Sequence, residues 1–280
     1  MKRDLFSVGR QPVFALCCVL STLLLCLAGC ERIKSYRESA GRAHPSSKDH
    51  SAHPSSAATA TSSKLAIILD DIGSDPAAIE QVFALDYPLT LSVLPLHEHS
   101  AAIAREAHRR GYQVMLHLPM EAMGREGSEP QQLRVGMSSS EVADDLGGML
   151  GSVPYAVGVN NHQGSLATSN SALMAELMPL LRQRHLFFID SRTTTATVAL
   201  HTARQDGVPC AFRNVPFLDD VQETGAIRRQ LELAIHGAKQ KGEAVAIGHP
   251  HPETLEVLRE MLPQVQGQGV ELVHASVLVH

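Results

Sequence analysis

Residues 65–73 read LAIILDDIG: five apolar residues, then two adjacent carboxylates, then a turn. A short uninterrupted apolar run bounded by a turn signal is the pattern of a strand buried on both faces, as in a parallel sheet covered by helices. Its end poses a physical problem. Asp70 and Asp71 repel each other and lose hydration wherever they are buried. A cation, a helix N-terminus or exposure to water must offset that cost.

Outward from this strand the same punctuation recurs. Apolar runs fall at 89–94 (LTLSVL), 113–117 (QVMLH), 156–160 (AVGVN), 186–190 (LFFID), 208–212 (VPCAF), 244–248 (AVAIG) and 270–275 (VELVHA). Helical patterns lie between them at 74–85, 100–111, 138–150, 170–184, 197–206, 222–241 and 252–266, the first with Ser74 as its cap and Pro76 in its first turn. A long polar loop is expected over 118–137. Strands alternating with helices imply a parallel sheet with helical cover. The count predicts an α/β fold, a closed or nearly closed parallel (β/α) barrel of seven to eight strands, ahead of an open doubly wound sheet. No Gly-rich phosphate loop follows the first strand, which counts against a nucleotide-binding version.

The rest of the composition narrows the class. The 280 residues carry a formal net charge of −5, and no basic patch appears, so nucleic acid is not an expected partner. Trp is absent and aromatics make up 4%, so the platforms that often bind sugars are missing. Lys2, Arg3 and Arg10 precede an almost wholly apolar stretch, Val13 to Leu27, that ends in LAGC. The stretch is short for a membrane span and reads as a targeting segment over 1–30. Its end resembles the lipobox of bacterial lipoproteins, which implies cleavage before Cys30 and a lipid on Cys30; an anchor helix or a plain secretory signal are the alternatives. The expectation is an exported lipoprotein, held to a membrane by its N-terminus and facing the periplasm or cell exterior. Residues 31–63, rich in Ser, Ala and His and including His44, His50 and His53, read as a disordered tether to a folded domain over 64–280. Beyond Cys30 the sequence holds one more cysteine, Cys210, in an apolar run, so it is expected to be a small core residue without a disulfide.

Parallel α/β folds place reactive groups just past the carboxyl ends of their strands. Here the first strand ends in Asp70-Asp71, the third in His117, the fourth in Asn160-Asn161-His162, the fifth in Asp190-Ser191-Arg192 and the seventh in His249. The opposite ends begin with Leu65, Gln113, Ala156, Leu186 and Ala244. A single pocket would explain this asymmetry. Imidazoles and a carboxylate suit a divalent ion such as zinc, and three protein ligands with an open position make a catalytic site. Such an ion acidifies water and polarises a carbonyl. A second carboxylate takes the proton, and a separate histidine protonates the leaving group. The pattern describes hydrolysis of an amide or ester.

LAIILDDIG, HLPME, GVNNHQGS, FFIDSRT and AIGHPHP together resemble the divergent polysaccharide deacetylases, relatives of the carbohydrate esterase deacetylases, over about residues 64–273. The resemblance implies a deacetylase- or glycoside-hydrolase-like barrel, often of seven strands and incompletely closed. It implies Asp70 as base and Asp71 as metal ligand. Typical members take two metal histidines four apart on one motif; four beyond His117 stands Glu121, so His117 and His162 from two strands are implied instead. The late histidine that acts as acid corresponds to His249. The R-x-P-Y motif of typical members is missing, and Arg192 beside Asp190 is expected to supply the positive charge that tunes the base. Asn161 and Ser165 are expected on the substrate side.

The implied activity is metal-dependent removal of an N- or O-acetyl group from peptidoglycan or another envelope polysaccharide, with zinc the favoured ion among cobalt, nickel and manganese. The alternative is an envelope lipoprotein that holds a glycan or a protein partner in the same groove without turnover, and a third reading is hydrolysis of a peptide amide or phosphoester. The loops at 118–137 and 191–222 carry Arg125, Arg134, Arg192 and Arg213, which would suit an anionic group, while for most of them a solvated surface is the expected reading. Neither the oligomeric state nor a role for His97, His99, His251 or His280 follows from the sequence.

Overall fold

A computed structural model of the chain describes residues 62–73, 75–124 and 129–280. The signal segment, Cys30, residues 31–61 of the expected tether with its histidines, Ser74 and Arg125 lie outside the described residues, while Ser63, expected in the tether, already opens the first strand. Strand β1 (Ser63–Ile72) contains the Leu65–Leu69 run and continues through both aspartates. After it come α1 (Pro76–Phe83), β2 (Thr90–Val93), α2 (Ser100–Arg109), β3 (Gln113–Met120), α3 (Ser139–Ser152), β4 (Ala156–Gln163) and α4 (Ser171–Gln183). The remainder is β5 (Phe187–Asp190), α5 (Ala199–Gln205), β6 (Cys210–Phe212), α6 (Thr224–Lys241), β7 (Glu243–Gly248), α7 (Pro252–Gly267) and β8 (Val270–Val273).

The strand order is β6-β5-β4-β3-β2-β1-β7, every pairing parallel, with β8 added against β1. β7 pairs with Lys64–Leu69 along one edge of β1, while β2 takes the upper half and β8 the lower half of the other. The sheet therefore curls into a nearly closed barrel of seven strands plus one, with its seam between β6 and β7. The seam is stitched without a regular ladder. Asn214 donates its N–H to the Val245 carbonyl and accepts from the Val245 N–H, and Leu218 N–H bonds the Ile247 carbonyl. Lower down, His280 exchanges backbone bonds with Cys210 of β6, and its ring lies 3.0 Å from Glu243 of β7.

Side-chain alternation along the strands produces two apolar layers. Ala66, Ile68, Met115, Phe187, Ile189, Val245 and Ile247 fill the lower barrel interior, and Ala275 and Leu278 of the C-terminal turn close it from below. Leu65, Ile67, Leu69, Leu116, Val159 and Phe188 point the other way, into the layer beneath the helices. Buried, free Cys210 belongs to that outer layer.

Several local expectations are corrected. The cap of α1 is Asp75, whose carboxylate accepts from the Ala77 N–H. The segment 118–137 is not polar throughout: Leu118 and Met120 are buried as β3 continues, and Leu133 returns to bridge Met120. Pairing with neighbouring strands extends β1, β3 and β4 three residues past their apolar runs, so His117 and Asn160 lie inside strands. At α3 the expected cap holds, with Ser138 and Glu141 forming a reciprocal capping box.

Gly158 of β4 sits opposite Phe187 of β5 and faces the barrel interior. A Cβ there would lie 2.5 Å from Phe187 Cζ. Gly158→Ala should therefore overpack the barrel and cost about 1–3 kcal/mol. A lowered urea midpoint at unchanged slope is the expected result, with part of the loss recovered in the Gly158→Ala/Phe187→Leu double variant. An unaltered midpoint would show that the ring yields freely.

Candidate active site

Consecutive strand residues point to opposite faces, so Asp70 and Asp71 could not both enter the barrel from a regular β1. Ala66 and Ile68 face inward, which sets Asp70 inward as well. Between Leu69 and Ile72 the register slips: Leu69 pairs with Leu91 but Ile72 pairs with Val93, leaving one extra residue in β1. Asp71 is that residue's neighbourhood, with φ at +57°, a left-handed conformation that non-glycine residues adopt only under constraint. The bulge returns Ile72 to the outer layer and swings the Asp71 carboxylate over the barrel mouth.

Three atoms converge there. Asp71 Oδ1 lies 3.1 Å from His117 Nε2 and 3.0 Å from His162 Nδ1, and the two ring nitrogens are 3.1 Å apart. Asp71 Oδ1 is buried and forms no hydrogen bond. His117 Nδ1 contacts Asn160 Oδ1 at 2.8 Å, and Asn160 Nδ2 is committed to Asp70, so His117 Nδ1 carries a proton and Nε2 is the nitrogen that faces Asp71 and would exchange its own proton for a cation. A carboxylate oxygen and two imidazole nitrogens within about 3 Å of one another fit a divalent cation. Two nitrogens and one oxygen are a zinc-type donor set with room for a further ligand.

Asn160, fully buried, is the hub beneath them. Its Oδ1 accepts from Ser92 Oγ and His117 Nδ1, and its Nδ2 donates to Asp70 Oδ1 at 2.8 Å and Ser191 Oγ at 3.2 Å. Burial raises the Asp70 carboxyl, opposed by the charges of His117 and His249 and by the Asn160 donor. Burial would raise Asp71 too, but the His117 and His162 rings hold it well below the ordinary carboxylate range. The two adjacent aspartates are driven apart in proton affinity.

On the far side of the mouth stands His249, with Nε2 3.9 Å from Asp71 Oδ2. Asp219 fixes it: one carboxylate oxygen lies 2.9 Å from His249 Nδ1, and the other accepts from the His249 N–H and from Thr254 Oγ1. Gly248 permits this approach, since a Cβ there would crowd Leu218 and the Asp219 carboxylate at 3.3 and 3.4 Å. Burial alone would lower the imidazole, yet Asp219 with Asp70 and Asp71 lifts it to about 9. His251 also comes near Asp219 and His249 as a second cluster of possible ligand atoms. Asp219 is already satisfied by three donors there, so it orients His249, and His251 contacts Gln222 instead.

The structure thus brings together Asp70, Asp71, His117, His162 and His249. It places four other expected residues elsewhere. Asp190 shares the outward side of Phe188 and accepts from the Arg192 N–H and Thr197 Oγ1. The Arg192 guanidinium lies 3.8 Å over the Phe212 ring and pairs with neither Asp190 nor Asp70. Asn161 points away from the mouth and braces the next loop, through the Ser191 N–H, Thr193 Oγ1 and the Gln163 carbonyl. Ser165 accepts from the Met123 N–H. Glu121 holds the Val135 N–H. Sequence reasoning named Asn160 at its strand end but favoured its neighbour, and it passed over Asp219. The second of these had a signal: FLDD at 217–220 is another Asp pair after a strand.

A parallel barrel with a His-His-Asp cluster at the carboxyl ends of its strands is the class that fold and site define. The model of the family described as divergent polysaccharide deacetylase matches residues 67–279, and the chain belongs to that family. An uncharacterised protein of Escherichia coli K12, YibQ, is 41% identical over 217 residues, 78% of this chain and 67% of that one. In structure, the uncharacterised protein ATU2773 of Agrobacterium tumefaciens C58 superposes with a TM-score of 0.74 at 22% identity, over 78% of this chain and 89% of that one. Peptidoglycan deacetylase PdaC of Bacillus subtilis shares the fold at a TM-score of 0.50 and 15% identity, over 78% and 90%.

The Asp219–His249 contact makes a pH prediction for the metal-stripped protein. His249 titrates at about 9 when folded and near 6.5 when unfolded. Its contribution to stability is complete below pH 6.5 and is lost as pH rises through 9. Asp219→Asn removes the largest of the contacts that raise it. The gap in urea stability between wild type and variant should be widest near pH 6 and shrink above pH 9; a gap that is constant with pH would contradict the assignment.

Proposed function

We propose that the protein is a metal-dependent hydrolase that removes acetyl groups from an envelope polysaccharide. The observation that carries this reading is the convergence of Asp71 Oδ1, His117 Nε2 and His162 Nδ1 to within about 3 Å of one another, between a buried aspartate and an oriented histidine. Family membership supports a polysaccharide deacetylase-like activity, and the fold shared with a peptidoglycan deacetylase makes peptidoglycan the first substrate to try. The reading includes export, a lipid on Cys30 and a tether that lets the barrel reach glycan beside the membrane.

Asp71, His117 and His162 would hold the ion, with zinc favoured by the donor set. Bound there, the ion supplies Lewis acidity, which polarises the acyl carbonyl and acidifies water. Asp70 is the base. Asn160 occupies its Oδ1, so its Oδ2, 3.7 Å from His117 Nε2, is the oxygen that takes the proton. Burial raises its proton affinity toward the working pH, where a general base is most effective. His249 is the acid. Asp219 holds Nδ1, so the Nε2 proton faces the mouth and is delivered to the departing amine or alcohol oxygen.

The test uses the purified full chain, elemental analysis and acetate release from chitin oligomers and peptidoglycan. Wild type should contain about one divalent ion per chain and release acetate. Asp71→Ala should lose the ion. Asp70→Asn should keep it and lose roughly 10²–10⁴-fold in kcat, the range of general-base catalysis. Metal retained in Asp71→Ala would overturn the site. No acetate across the panel, with measurable glycan binding, would leave a glycan-holding protein instead.

A further inference from the structure

Beside the mouth lies a cavity of about 590 Å³ that the chemistry above does not use. It opens between the loop after β5 and the loop after β6. Arg192, Thr194, Thr195, Thr197 and Arg213 line it, and Asp220 supplies the lone carboxylate of the lining. We propose that this cavity is a subsite for an anionic substituent, a carboxylate or phosphate, carried by the sugar next to the acetylated one. The inference rests on the deacetylase reading and names the class of glycan that the same site takes.

Both guanidiniums are held in place by contacts that leave their charge unneutralised. Arg213 donates to the carbonyls of Ser191, Arg192 and Val215 and stacks on Phe217 at 4.0 Å. Arg192 stacks on Phe212. Among the described residues neither has a carboxylate at ion-pair distance. Burial lowers Arg213's proton affinity, partly offset by Asp220, so the half-buried cation gains from any further negative charge. The loop holds Arg192 at φ +51°, a strained conformation for a residue with a side chain. Asp190 accepting its N–H and Arg213 donating to its carbonyl over-determine that turn. Two fixed guanidiniums, with Thr194 and Thr195 beside them in the lining, form a recognition set for a planar or tetrahedral oxyanion.

The cavity adjoins the reacting centre through side chains already described. Phe217 carries Arg213 on one contact and packs 5.5 Å from the His249 ring on another. Ser191, whose carbonyl holds Arg213, hydrogen-bonds Asn160 through its hydroxyl. A glycan with its acetyl group between Asp70 and His249 therefore extends its neighbouring sugar over Phe217 toward the two arginines.

The test separates binding from turnover. Metal-stripped full chain is titrated calorimetrically with inorganic phosphate, glucuronate and glucose. Phosphate or glucuronate should bind at least tenfold tighter than glucose, weaken with salt, and lose about tenfold in Arg192→Gln, with part of the loss recovered in Arg192→Lys. Tighter phosphate identifies a phosphorylated sugar and tighter glucuronate an acidic one. Anion binding no stronger than glucose, or unchanged in Arg192→Gln, overturns the subsite. In the metal-loaded enzyme, the ratio of kcat/KM for acetylated oligomers with and without a neighbouring carboxylate should fall about tenfold in Arg192→Gln. If no oligomer releases acetate, the deacetylase reading fails while the titration still decides the subsite.

Discussion

At the level of Asp70 the apolar filling of the barrel stops and a polar layer begins, and the amide of Asn160 holds that layer together. From β4 it reaches Asp70 on β1, Ser92 on β2, His117 on β3 and Ser191 beyond β5. Every polar atom of the amide is engaged, which is the condition under which a buried polar network is tolerated. The same contacts fix the His117 tautomer and tie down one oxygen of Asp70. The placement of His117 and Asp70 therefore depends on one fully buried side chain.

Electrostatics then separate two residues that are identical in the sequence. Asp70 continues the inward side of β1 and is buried with few donors, so its carboxyl is raised. Asp71, displaced by the bulge, faces two imidazoles and is depressed. Two titratable groups pushed apart by their surroundings suit the different roles proposed for them, one holding a cation and the other accepting a proton. His249 is the third member, lifted by a carboxylate that comes from a different loop.

That loop exists because the barrel does not close with a ladder. Across the seam β7 is bonded by the irregular segment after β6, through Asn214 and Leu218. The Leu218 bond to Ile247 brings Asp219 beside His249 two residues further along. The same segment carries Arg213 and Phe217, so the seam shapes both the orientation of His249 and the wall of the adjoining cavity.

The eight strands were legible because buried parallel strands leave apolar runs in the sequence. The reactive groups were legible because polar residues follow those runs at one end only, and the quoted motifs resemble one family. The choices between neighbours were not. In FFID and GVNN both faces of the strand are buried, so no polar-apolar alternation marks which residues face the barrel. Asn160 rather than Asn161 enters it, and Asp190 turns out of it. The one-residue slips in β1 and in β4 also depend on the adjoining strands. Sequence alone determined that this chain builds a parallel barrel and that Asp70, Asp71, His117, His162 and His249 stand at its carboxyl end. Only the tertiary structure decided which of them face one another, because direction in a strand buried on both sides is set by its partners and not by its own residues.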